Sequence, residues 1–193
     1  MNMSKIEIIQ YVKEFADNAH GQQVRKYTGE RYIAHPVRVM EMTSEYNNNI
    51  CVHAAALLHD VLEDTPVAPD QMEKALLRVM SNGEVSTVIQ LVVELTDIFV
   101  KENYPKLNRI TRKEKEAERL SGVSPDAQSI KYSDIIDNVK DIVSQDTDFA
   151  KVYVREAKKM LHLMVAGNPQ LHERAVKLVD QCLHNLQERA AAC

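Results

Sequence analysis

Residues 54–66 read Ala54-Ala55-Ala56-Leu57-Leu58-His59-Asp60-Val61-Leu62-Glu63-Asp64-Thr65-Pro66, an apolar run that ends in a cluster of groups able to hold a metal or move a proton. From Ile50 to Leu58 the residues are apolar around nearly the whole circumference of a helix. A helix here is therefore a buried one, with His59 and Asp60 at its inner end. An imidazole and a carboxylate in such a place need a compensating partner. A divalent cation is a good one, because it takes neutral His and ionised Asp as ligands. A polar helix end that happens to carry His beside Asp is the simpler reading, so the weight of the pair depends on further ligands elsewhere in the chain.

The chain has 193 residues, enough for one compact domain with a sizeable core, and one domain is expected. Hydrophobic residues make up 45% and charged residues 27%, with five Gly and no Trp, the balance of a helix-rich globular protein. The net charge of -4 disfavours nucleic acid as a partner but allows a local basic pocket for a phosphorylated small molecule. Cys51, Cys182 and Cys193 are an odd number without CxxC spacing, which suggests a reducing compartment. With no signal-like start and no apolar segment of membrane-spanning length, a cytoplasmic location without membrane attachment is expected.

Outward from the central run, the pattern is helical throughout and no strand alternation stands out, so the fold class is all-α, a helical bundle. Ser4 and Glu7 form a capping-box pattern for a first helix to about His20, with Ile6, Ile9, Val12, Phe15 and Ala19 as its inward face. Gly21 to Tyr32 is a loop carrying Arg25, Lys26 and Arg31, and His35-Pro36 opens the next helix. Further helices are expected from Pro69 to about Met80 and from Val85 to Leu95. Residues 101–119 are rich in Lys and Arg interleaved with Glu114, Glu116 and Glu118. Local ion pairs on a solvated helix explain that pattern, and a phosphate-contacting arm is the functional alternative. Asp126 is a cap for a helix whose apolar face includes Ile130, Ile135, Ile136 and Val139, with Asp134 and Asp137 among them. Two C-terminal helices, within residues 148–190, serve as scaffold, with Val152, Leu161, Leu163, Leu171, Val176, Leu178, Leu183 and Leu186 as candidate core. His162, His172 and His184 lack carboxylates at ligand spacing and read as surface or hydrogen-bonded residues.

His35, the His59-Asp60 pair and Asp134 together supply two imidazoles and two carboxylates. Such a mixed nitrogen and oxygen set suits Mn, Fe or Zn and leaves positions for water and a phosphate oxygen, which is the requirement for hydrolysis. Glu63 and Asp64, about one turn beyond, are placed to orient or deprotonate that water. The ordered set His35-Pro36, Leu58-His59-Asp60-Val61-Leu62-Glu63-Asp64-Thr65 and Lys131-Tyr132-Ser133-Asp134 resembles the HD-domain metal-dependent phosphohydrolases. Within them it is most similar to the guanosine tetraphosphate hydrolase domain of the RelA/SpoT homologues and to the small alarmone hydrolases linked to the stringent response. His20-Gly21-Gln22-Gln23-Val24-Arg25-Lys26, Glu94-Leu95-Thr96-Asp97, Pro105-Lys106-Leu107 and Asn138 extend the likeness over roughly residues 5–145.

The resemblance implies a single HD-type hydrolase domain holding one Mn2+ ion on His35, His59, Asp60 and Asp134, with Glu63 and Asp64 as the catalytic carboxylates. It implies that Arg25 stacks on the guanine base, that Lys26 supports the pocket, that Lys106 reaches a phosphate and that Asn138 contacts the nucleotide. The implied reaction removes the 3′-pyrophosphate of ppGpp or pppGpp. Where relatives usually read Lys-Leu-Ala-Asp, this chain has Lys131-Tyr132-Ser133-Asp134, with Ile135 and Asp137 in place of basic, His or Tyr residues and Arg31 where Pro is common. Two alternatives follow from those departures: a phosphatase for another nucleotide, such as the 2′-phosphate of NADPH, and a catalytically silent nucleotide-binding module. Intact Glu63 and Asp64 speak against the second.

Overall fold

The computed structural model describes residues 3–191, with side chains described to residue 188. Cys193 lies outside the described residues. The chain folds as two compact helical units, one ending at Thr96 and the other beginning at Asp97.

The first unit contains α1 (Lys5–His20), α2 (Ala34–Ser44), α3 (Ile50–Leu58), α4 (Val61–Asp64), α5 (Pro69–Leu76) and α6 (Asn82–Leu95). The expected capping box starts α1: Ser4 Oγ accepts from Glu7 N–H at 3.3 Å, and Glu7 Oε2 accepts from Ser4 N–H at 2.7 Å. Gly21 ends it at φ 56°, a left-handed position that suits glycine. Helix α3 is the spine, packed against α1, α2 and α6. Ala54 through Leu58 are fully buried, and burying a leucine such as Leu57 or Leu58 contributes roughly 1.5–3 kcal/mol. The helix stops one residue before the His59-Asp60 pair, which forms the elbow between α3 and the four-residue α4. Helix α6 starts earlier than Val85, because Ser81 accepts from Glu84 N–H and draws Asn82 and Gly83 into the first turn.

The second unit contains α7 (Arg109–Ser121), α8 (Pro125–Gln145), α9 (Thr147–Leu163) and α10 (Pro169–Ala191). Ser124, not Asp126, caps α8, with Pro125 in its first turn. A polar latch fastens α8 to the turn between α9 and α10. The buried Tyr132 hydroxyl donates to Met164 O at 2.7 Å and accepts from Gly167 N–H, while Gln128 and Ser129 accept from Ala166 and Asn168 N–H. The chain passes so close that a Cβ on Gly167 would lie 2.5 Å from the Tyr132 ring. Tyr132, one of the departures from the usual family pattern, is thus a structural tie.

Several expected core positions are corrected. In α1 the buried line is Ile8, Val12, Ala16 and His20, and Ile6 is 83% exposed. In α9 it is Ala150, Val154, Ala157 and Leu161, which leaves Val152 and Leu163 at the surface. In α10 Leu171, Ala175, Val179 and Leu186 are buried, and Val176, Leu178 and Leu183 are partly exposed. Each helix offers two apolar tracks, and the inner one mixes small residues such as Ala16, Ala150, Ala157 and Ala175 with larger ones.

Residues 97–108 form an irregular segment, which is tied down by the buried carboxylate of Glu116. Its Oε2 accepts from Ile98 and Phe99 N–H at 3.0 and 2.9 Å, and its Oε1 accepts from Arg119. Lys113 pairs with Asp97, Arg109 with Glu156 and Lys159 with Glu114. The basic stretch is accordingly laced by ion pairs, but mostly to neighbouring elements rather than along its own helix. Among the described residues no helix is long and apolar enough to cross a membrane.

Candidate metal and catalytic site

In the first unit, α2 brings fully buried His35 toward the elbow after α3, where Asp60 lies between two imidazoles. His59 Nε2 is 3.2 Å from Asp60 Oδ1, and His35 Nε2 is 3.5 Å from Asp60 Oδ2. His59 donates its Nδ1–H to Ala56 O at 2.8 Å. In the neutral ring that bond fixes the tautomer and leaves Nε2 as the lone-pair nitrogen, facing a carboxylate oxygen. Two electron-rich atoms at that distance call for an electropositive centre between or beside them. A carbonyl accepting the remote N–H is also the usual second partner of a metal-bound imidazole. The donor chemistry therefore fits a divalent cation.

Tyr32, just before α2, joins this group to the next carboxylate. Its hydroxyl is 2.8 Å from both Asp60 Oδ2 and Asp64 Oδ2. A phenol has one proton to donate, so the two carboxyl groups share it. Burial, followed by the negative charge of Asp60, raises the pKa of the Asp64 carboxyl. The phenol itself is raised far above its usual range, by burial first and then by both carboxylates. Asp64 is gripped a second time through its backbone, because Gln23 Nε2 donates to Asp64 O at 2.6 Å. Gln23 Oε1 in turn lies 2.8 Å from Nδ1 of buried His20, whose ring stacks on Tyr32 at 4.3 Å. Glu63 stands on the exposed side of α4.

The basic loop 21–33 is a tight turn closed by an antiparallel bridge between Val24 and Arg31, with Gly29 at φ 72°. Arg25 is half-buried with its guanidinium 5.7 Å from the Tyr32 ring centroid, and Lys26 is exposed beside Tyr27 at 3.2 Å. Arg31 pairs with Asp17 of α1 at 2.8 Å, which gives that departure from the family pattern an anchoring task on α1.

In the second unit, Asp134 is buried on α8 with both oxygens engaged. Lys131 Nζ lies 2.8 Å from Oδ2, and Asn138 Nδ2 donates to Oδ1 at 2.6 Å. Asp137 is buried on the same helix, and Lys106 is exposed in the segment before α7. His172 bonds to Leu161 O, His184 pairs with Glu188, and His162 is exposed, so these three are what their sequence context suggested. Sequence reading did not assign tasks to Tyr32, Gln23, His20 or Lys131. His20, Gln23 and Lys131 stand in matching stretches and Tyr32 ends the basic loop, and Tyr32 and Gln23 reach residues 28 and 41 positions away in the chain.

The sequence profile of the HD domain matches residues 13–189. The chain belongs to the HD domain family. Membership implies an enzyme that depends on a divalent metal. This HD-domain chain is 33% identical over 176 residues to guanosine-3′,5′-bis(diphosphate) 3′-pyrophosphohydrolase MESH1 of Mus musculus, covering 87% of the chain and 90% of that protein. It is 36% identical over 139 residues to a guanosine-3′,5′-bis(diphosphate) 3′-pyrophosphohydrolase of Aquifex aeolicus, covering 69% of the chain but only 18% of that longer protein. Among solved structures, a metazoan ortholog of SpoT that hydrolyses ppGpp and plays a role in starvation responses superposes with a TM-score of 0.76 at 26% identity. That match covers 90% of this chain and 94% of that one. The Listeria monocytogenes protein lmo0812 shares the fold, at 21% identity and a TM-score of 0.58, over 82% of this chain and 99% of that one.

Proposed function

We propose that this HD-domain protein hydrolyses the 3′-pyrophosphate of ppGpp or pppGpp, releasing pyrophosphate and leaving GDP or GTP. The likeness to MESH1 over 90% of that protein's length supports the substrate class. The observation that carries the chemistry is His59 Nε2 set 3.2 Å from Asp60 Oδ1, with the opposite ring nitrogen bonded to Ala56 O. The buried donors suited to a divalent ion are His35, His59 and Asp134, with half-buried Asp60 as the fourth. Mn2+ is the ion in this proposal, and both units work as one HD-type hydrolase domain in the cytoplasm. The family profile runs through both units and supports that unity.

When bound, the ion lowers the pKa of a water molecule and offsets charge that develops on the phosphoryl oxygens. The chain does the rest. Glu63 or Asp64 takes a proton from the water as its oxygen bonds to the phosphorus next to the ribose 3′-oxygen. The bond from that phosphorus to the 3′-oxygen breaks, the electron pair goes to the 3′-oxygen, and the carboxyl passes it the proton taken from the water, so that it leaves as a hydroxyl. Lys131 and Asn138 hold the Asp134 carboxylate in one orientation. Arg25 stacks on the base, Lys26 supports the pocket, Lys106 reaches a phosphate, and Asn138 contacts the nucleotide. The test is turnover by Mn-loaded protein over ppGpp, pppGpp and NADPH with products identified. Pyrophosphate and GDP from ppGpp support the proposal; release of inorganic phosphate from NADPH with ppGpp intact would replace it with the phosphatase reading.

A further inference from the structure

We infer that Tyr32 is a positioning residue for the hydrolysis proposed above: its hydroxyl holds the Asp64 carboxyl against Asp60. Its ring, carried on His20, ties that carboxyl to the loop bearing Arg25. The inference rests on the proposed reaction for its kinetic arm and on geometry alone for its structural arm.

Asp64 needs an external hold. It is the last residue of α4, a four-residue helix without a side-chain cap at its N-terminus. So short a helix has almost no stability of its own, since nucleation is costly and propagation never begins. Thr65 bonds back to Val61 O, which closes the turn but does not aim the Asp64 side chain. The aim comes from two converging lines out of α1 and the loop after it. Gln23 Nε2 donates to the Asp64 backbone carbonyl, and the Tyr32 hydroxyl meets the Asp64 carboxyl at 2.8 Å. Hydrogen bonds to carboxylates are shorter and about twice as strong as neutral ones, so this contact dominates the orientation of an otherwise exposed side chain.

The support beneath Tyr32 is equally specific. His20 occupies the buried seam of α1, where an apolar residue ordinarily packs, and its ring lies 24° from parallel with that of Tyr32. Gln23 fixes the His20 ring through Nδ1, and Tyr32 N–H bonds to Gln23 O at 3.0 Å, so His20, Gln23 and Tyr32 form one unit. The Arg25 guanidinium lies within cation–π range of the same Tyr32 ring. A change in the loop therefore reaches Asp64 through one rigid aromatic side chain, while Asp60, which meets the same hydroxyl at 2.8 Å, also lies beside the His35 and His59 rings.

The test uses Tyr32→Phe, which removes the hydroxyl and keeps the stacking ring, with Asp64→Asn and the double variant. A crystal structure of Tyr32→Phe should show the Asp64 carboxyl displaced by about 1 Å or more, or spread over conformers, with His35, His59 and Asp60 in place. In ppGpp hydrolysis, Tyr32→Phe should lower kcat about 10- to 100-fold with KM changed less than about 3-fold. Adding it to Asp64→Asn should cost less than about 2-fold more, because the hydroxyl acts through that carboxylate. Metal content should be unchanged in all variants. An undisturbed Asp64 in the Phe variant, unchanged kcat, fully multiplicative losses or lost metal would each overturn the inference. If wild-type protein leaves ppGpp intact, the proposed reaction fails while the crystallographic arm still decides whether Tyr32 positions Asp64.

Discussion

Gly167→Ala gives the sharpest stability test, because both its penalty and its relief are set by one neighbour. The added methyl would lie 2.5 Å from Tyr132 Cε2 and 3.0 Å from Ser129 N and Oγ. No carbon pair tolerates the first distance, so either the ring or the turn must move. The ring cannot swing freely: it is fully buried and its hydroxyl is bonded to Met164 O and Gly167 N–H. Overpacking of this kind costs about 1–3 kcal/mol. Losing one buried hydrogen bond of the latch adds about 1–3 kcal/mol. The total of about 2–6 kcal/mol corresponds to a fall in Tm of about 4–24 °C for a chain of this length. Urea and thermal unfolding followed by circular dichroism measure it. Tyr132→Leu removes the clashing ring edge, so the alanine should cost markedly less in that background than in the wild type. A Gly167→Ala protein within about 1 kcal/mol of wild type, or equal penalties in the two backgrounds, would refute the reasoning.

Three further outcomes are expected. Glu116→Gln should destabilise the second unit by about 2–4 kcal/mol and speed amide exchange at Ile98 and Phe99, whose N–H groups the carboxylate accepts; exchange unchanged from wild type would count against this anchor. Burial raises the Cys182 thiol pKa and Cys51 is buried, so at pH 8, where less thiolate is present, iodoacetamide should label both more slowly in native protein than glutathione is labelled, with mass spectrometry locating the adducts; equal rates would contradict it. His59→Ala and Asp134→Ala should each lose bound metal by elemental analysis, and Glu63→Gln should keep metal and lose about 100-fold or more in kcat; stoichiometric metal in both alanine variants would remove those ligands from the account.

The elements of the fold were legible where caps and apolar periodicity agreed, as at Ser4 and Glu7 or along Ile50–Leu58. Which track of a helix turns inward was less so. In α9 the smaller Ala150 and Ala157 face the core and the larger Val152 does not, because close helix packing selects for fit rather than hydrophobicity alone. Candidate ligands His35, His59, Asp60 and Asp134 could be named from motif and donor chemistry. Tyr32 and Gln23 could not be given work that way, since their partners Asp60 and Asp64 are distant in sequence and a tyrosine or glutamine carries no spacing rule. Tyr132 looked like a departure that endangered the substrate site, and it proved to be the pin of the α8 latch.

The central claim is a hydrolysis at phosphorus that frees an intact pyrophosphate, and isotope-labelled water tests it in one reaction. Mn-loaded protein given ppGpp in 18O-enriched water should yield GDP and pyrophosphate, with the label in the pyrophosphate and none in the nucleoside 3′-hydroxyl, read by 31P NMR and mass spectrometry. Label on the nucleoside, stepwise release of inorganic phosphate, or ppGpp left intact would contradict the account.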